Sequence, residues 1–156
     1  MVLDGMTPDT PASEPTRAAR VLVVTDEAAV TAPLLDAIRG RAARGPAEFE
    51  ILVPNPAKAE WHPGHPERHD KVVEARRELA RARPLIEEAA GGRVEGTVSI
   101  RHDPMDAIEE TMVAGAFDEI ILSARTHRLS RWLHVDLPHR VAHLGLPLTT
   151  ISAEHH

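Results

Sequence analysis

Between residues 125 and 143 four arginines, Arg125, Arg128, Arg131 and Arg140, stand against one acid, Asp136, in a chain whose net charge is -6. A positive segment of this kind next to a helix start is suited to anions, because planar guanidinium forks and helix N-terminal amides both address phosphate oxygens. Its ligand would be a nucleotide or another small phosphorylated molecule. His127, His134, His139 and His143 add charge that varies with pH. The other reading is a solvated face of an Arg-rich chain. Asp26 and Glu27 follow an apolar run, where a carboxylate would hold ribose, an adenine group or Mg2+. They read equally as first-turn acids of a helix starting near Ala28, favoured by its dipole.

His62, His65 and His69 are spaced for imidazole ligation of zinc or nickel, but their proline-rich surroundings read as a surface loop without a second shell, and no metal site is assigned. Ser123, Thr126 and Ser130 near His127 and Asp136 contain the residue types of a nucleophilic triad. A triad is made by geometry, and no Gly-x-Ser-x-Gly elbow surrounds any serine, so no catalytic residue is assigned.

Composition narrows the classes further. The chain has 156 residues, 42% hydrophobic and 27% charged, which fits one folded domain. The absence of Cys excludes disulfides, thiolate nucleophiles and Cys-ligated metal. Negative charge argues against duplex nucleic acid, and an aromatic content of 3% against single strands stacked on rings. No apolar run reaches the length of a membrane span or of a signal peptide, so the expected compartment is the cytoplasm.

Residues 1–17 are rich in Pro, Thr, Ser and Asp and read as a disordered tail; 18–153 form the expected domain, and 154–156 a tail or tag remnant. Arg20–Thr25 is a continuous β-branched run, the pattern of a central strand buried on both faces. Helical spacing follows from Ala28 to Ala43, a strand from Phe49 to Pro54, a loop from Asn55 to Pro66 and a long helix from Glu67 to Ala90 containing Pro84. Gly91-Gly92 is a left-handed cap, and Arg93–Ile100 alternates like an edge strand. Asp103-Pro104 starts a helix with Ile108, Met112 and Val113 inward. Phe117–Ser123, Leu133–Leu144 and Leu148–Ile151 then read as strand, helix and strand.

The alternation predicts an α/β fold: a single open, doubly wound, five-stranded parallel sheet in the order 3-2-1-4-5 with helices on both faces. Ligands of such sheets sit outside the strand C-termini where strand order reverses. That rule places the candidate site at Thr25, Asp26, Val53 and Ser123 with the loop carrying Arg125, Thr126, Arg128, Ser130, Arg131 and Asp136.

From about residue 20 to 152 the chain resembles the universal stress protein family. A first strand ending Val-Val-Thr-Asp26 is similar to that family's, Asp103-Pro104-Met105-Asp106-Ala107-Ile108 to its Gly-Asp-Pro-x-x-Ala-Ile, and Phe117–Leu122 to its Asp-Leu-Ile-Val strand. Leu129–Leu133 resembles its Leu-Ser-Arg-Leu-Leu, and Leu146-Pro147-Leu148 its Cys-Pro-Val. The resemblance implies a stress-response regulator of UspA-like fold, a homodimer through the last strand, and ATP bound by a Gly-x-x-Gly, nine residues, Gly-Ser/Thr loop. Here the matching positions read Ser123-Ala124-Arg125-Thr126 and Val135-Asp136. Side chains there close the approach of backbone amides to phosphate, and Asp136 facing a phosphate at 4 Å would cost on the order of 4 kcal/mol at an effective dielectric of 20. The expectation is a non-enzymatic binding or regulatory protein with a degenerate nucleotide site. The alternatives are a binder of ATP, ADP or AMP, with or without Mg, or slow ATPase, using the arginines, and a pure interaction module built on the last strand and Trp132.

Overall fold

The computed structural model describes residues 18–26, 30–54, 67–99, 103–134 and 136–152, with the backbone alone for 67–71, 127, 128, 133 and 134. In chain order the elements are β1 (Ala19–Thr25), α1 (Ala32–Ala43), β2 (Ala47–Val53), α2 (Glu67–Ala90), β3 (Val94–Val98), α3 (Pro104–Ala114), β4 (Glu119–Ala124), α4 (Thr126–His134), α5 (Leu137–Ala142) and β5 (Leu148–Ser152). The tail at 1–17 and the loop at 55–66 lie outside the described residues.

All four strand pairings are parallel and the order is β3-β2-β1-β4-β5, the doubly wound arrangement. β1 is central, and Val21 to Thr25 are buried, as a strand covered on both faces must be. Its side chains divide by the period of two. Val21 and Val23 pack with Leu34, Ile38, Phe49, Ile51 and the α2 residues Val72, Leu79 and Ile86. Leu22 and Val24 pack on the other face with Ile108, Ile120, Leu122, Trp132, Leu137 and Val141. Each such Val, Leu or Ile contributes roughly 1.5–3 kcal/mol by leaving water. Trp132 is therefore a core residue.

Several boundaries differ from the sequence reading, each for a local reason. Helix α1 starts at Ala32, not Ala28: Thr31 is extended, its hydroxyl accepts the Leu34 N–H, and Pro33 occupies the first turn, where it has no hydrogen bond to lose. On α3 the inward face carries Met105, Ile108 and Met112, whereas Val113 is 90% exposed. Five residues past Ile108 is about 140° around the helix, which takes Val113 off that face. The segment expected as a loop and then one helix at Leu133–Leu144 is two helices, α4 and α5, broken at Asp136, whose φ is 59°, with Pro138 in the first turn of α5.

The expected starts of α2 and α3 hold, with Asp103 accepting the Met105 N–H. Gly91 has φ 77° and ends α2 with its N–H on Glu87 O at 2.8 Å, the left-handed cap. Edge strand β3 approaches α2 closely because Gly96 has no side chain: a Cβ there would lie 2.8 Å from Leu79 Cδ2.

Candidate functional site

Strand order reverses between β1 and β4, so the crevice of this sheet opens between their C-terminal ends. Thr25 and Ser123 are register partners there, on adjacent strands and both buried. Asp26 follows Thr25 and donates its backbone N–H to Ser123 O at 3.1 Å. Its carboxylate turns across the crevice: Oδ2 accepts the Arg125 N–H at 3.3 Å and lies 4.0 Å from Arg125 Nε. With five residues between Asp26 and Ala32, Asp26 is not a first-turn acid of α1, and its place at the crevice has a different cause.

Five predicted positions thus meet at one place: Thr25, Asp26, Ser123, Arg125 and Thr126. Thr126 is the first residue of α4, and its Oγ1 is 3.0 Å from Ser152 Oγ at the end of β5. Val53 closes β2 next door, buried, with its carbonyl accepting the Ser99 N–H at 2.8 Å. Ser130 and Arg131 are exposed on α4, and Arg131 is about 7 Å along the axis from its first residue. The backbone of Arg128 is in α4. Asp136 is exposed beyond the far end of α4 and makes no side-chain cap bond to α5.

The electrostatics are milder than the sequence count of arginines suggests. Arg125 has Asp26, and Arg140 Nη2 is 3.7 Å from Asp103 Oδ2, so two of the four cations already face carboxylates. Nor do residues 126–134 form a loop of free amides. They are helical, and the Leu129 N–H is given to Arg125 O at 2.8 Å. Leu129 and buried Trp132 share a face of this helix and hold it against the core.

The feature that asks for a ligand is Ser123. Its hydroxyl is fully buried, beside the start of α4, and Oγ has no hydrogen-bond partner among the described residues. Leaving such a group unsatisfied costs about 1–3 kcal/mol. Ser123 is among the predicted site residues; buried Ser99, which falls inside the longer strand expected at Arg93–Ile100, and Ser152 are not, although polar residues at the C-terminal ends of strands are the signal that marks them.

Two open grooves lie elsewhere. One, of about 270 Å3, runs between α2 and edge strand β3 past Leu79, Ile86 and Gly96, with Arg76 and Arg83 on its rim. The other, of about 410 Å3, lies at the strand N-termini around Arg20, Glu50, Glu95 and Phe117. There the Arg20 guanidinium sits 4.7 Å from the Phe117 ring centre and 3.5 Å from Glu50. Burial pushes the Glu50 carboxyl above its ordinary 4.5, against the pull of Arg20 and with a smaller push from Glu95. Both grooves are away from the crevice that the topology creates.

No three described His, Asp or Glu side chains gather as a metal site, His62 and His65 lie outside the described residues, and only the backbone of His69 is described. No described helix is long and apolar enough to cross a membrane. The sequence matches no protein-family model, and no curated protein matches it.

Proposed function

We propose that this chain is a non-enzymatic binding or regulatory protein resembling the universal stress proteins, with its ligand position at the β1/β4 crevice and a degenerate nucleotide site. The observation that carries the reading is the hydrogen bond from Arg125 N–H to Asp26. A phosphate cradle needs backbone amides turned outward at this turn. Here the first amide after β4 goes to a carboxylate, and the segment after it is wound into α4. A triphosphate would have to displace a paired Asp and unwind a packed helix.

Ser123 favours a second reading, a small phosphorylated ligand in place of ATP. Its buried hydroxyl, the start of α4 and Arg125 together offer donors to one or two anionic oxygens. For assembly we propose a homodimer through β5, an edge strand whose Thr149, Thr150 and Ser152 are exposed and whose outer ladder a two-fold partner would cover. A monomer mass by light scattering would refute that part.

The test of the site is calorimetric titration at low salt with ATP, ADP and AMP, with and without Mg2+, and with inorganic phosphate. The degenerate reading expects no heat from any nucleotide at millimolar concentration. Micromolar ATP binding that disappears in an Arg125→Ala, Arg128→Ala variant would overturn it and establish the nucleotide-binding alternative.

A further inference from the structure

His139 and His143 stand four residues apart at the C-terminal end of α5, and their Nε2 atoms are 3.1 Å from each other. Helical spacing is maintained through His143, because its N–H donates to His139 O at 3.2 Å and its φ and ψ are -65° and -14°. The rings are 4.6 Å apart between centres and nearly perpendicular, and both residues are exposed.

We infer that this pair is a two-histidine clamp for a divalent transition-metal ion of the Cu2+, Ni2+ or Zn2+ class. A metal–imidazole bond is about 2.0–2.1 Å, so two nitrogens bound in adjacent positions are about 2.9–3.3 Å apart for angles between square and tetrahedral. The observed 3.1 Å falls inside that interval. Backbone and ring positions are therefore already set for chelation, and only small side-chain rotations are needed to aim both lone pairs at one ion. Imidazole is a good ligand for Cu2+, Ni2+ and Zn2+ and a poor one for Mg2+ and Ca2+, which defines the class and gives Cu2+ the highest affinity.

In the metal-free pair one Nε2–H donates to the other Nε2. Coordination through both Nε2 atoms requires both rings to carry hydrogen on Nδ1. The donating ring therefore gives up its Nε2 proton to solvent and takes one on Nδ1, with no net change in the proton count of the neutral pair. Arg140, on the same helix, has Asp103 at 3.7 Å. Among the described residues, no third His, Asp or Glu side chain completes a metal cluster.

The test uses the full-length protein and NMR, which separates this site from His62, His65, His69 and the C-terminal histidines. Substoichiometric Cu2+ should broaden the ring signals of His139 and His143 and the amides of residues 137–144 first. Zn2+ should shift both Nε2 resonances together. His139→Ala and His143→Ala should each weaken binding at this site by at least about tenfold, and the double variant little further, because either loss removes the chelate. Broadening confined to the other histidines, or unchanged Zn2+ affinity at this site in both single variants, would overturn the assignment. The wild-type mapping decides the matter even if a variant folds poorly.

Discussion

Asp26 and Arg125, 99 positions apart in sequence, meet across the crevice: Asp26 Oδ2 accepts the Arg125 N–H at 3.3 Å, with Nε of the same arginine 4.0 Å away. The Asp26 side chain is 4% exposed, so this contact is sheltered from solvent. It ties the end of β1 to the turn leaving β4. Asp26→Ala should destabilise the protein by about 2 kcal/mol, since it removes the sheltered acceptor of the Arg125 N–H. Asp26→Asn, which retains an acceptor oxygen, should cost less than half as much. Urea midpoints at pH 7 check the order; equal losses would mean that charge, not the hydrogen bond, carries the contact.

Arg41 and Glu119 form the most enclosed of the described ion pairs, with Nε at 2.9 and 2.7 Å from the two carboxylate oxygens and side chains 12% and 19% exposed. They join the last turn of α1 to the start of β4. Removing one partner leaves a poorly solvated charge, so Arg41→Met and Glu119→Gln should each cost about 2–3 kcal/mol. The double variant Arg41→Met, Glu119→Leu should recover more than half of the summed loss, because no charge is then stranded. Additive losses in a double-mutant cycle would rule this account out.

These two contacts mark where the sequence stops being legible. The run Val21-Leu22-Val23-Val24 has no polar position, so it belongs in the middle of a parallel sheet, and the strand order follows from alternation. Local chemistry likewise fixes Asp103-Pro104 as a helix start and Gly91 as a helix end. The segment 126–132 reads as a loop because, among its described side chains, Leu129 and Trp132 supply the buried face, and that face is recognisable only once the core beneath it exists. Thr31 and Pro33 did signal the start of α1, but the apolar spacing from Val30 masked it. The partner of Asp26 depends on the β1–β4 register, which no local pattern encodes.

Glu50 gives a pH signature. Its carboxyl is pushed above the ordinary 4.5 chiefly by burial, opposed by Arg20 at 3.5 Å and aided by Glu95, its register partner on β3. The folded state holds this proton more tightly than the unfolded chain does. Its stabilising contribution is therefore complete below pH 4.5 and is lost as pH rises through the folded value. Glu50→Gln, which never ionises, should melt higher than the wild type at pH 7, with the difference closing toward pH 4. A difference that widens on acidification would mean that the Arg20 pair outweighs burial.

Ser123 separates stability from binding in a single substitution. Its fully buried hydroxyl has no partner among the described residues, so in the ligand-free protein it contributes a desolvation cost and no hydrogen bond. Ser123→Ala removes the hydroxyl with little change in volume and should raise stability by about 1 kcal/mol. Any ligand whose oxygen occupies the crevice beside Asp26 would instead satisfy that hydroxyl, and its stabilising effect on the melting temperature should shrink in the variant. Melting both proteins with and without inorganic phosphate at low salt reads the two effects independently. A variant less stable than wild type without phosphate would mean that the hydroxyl already has a partner, and the crevice would then lose its strongest mark as a binding site.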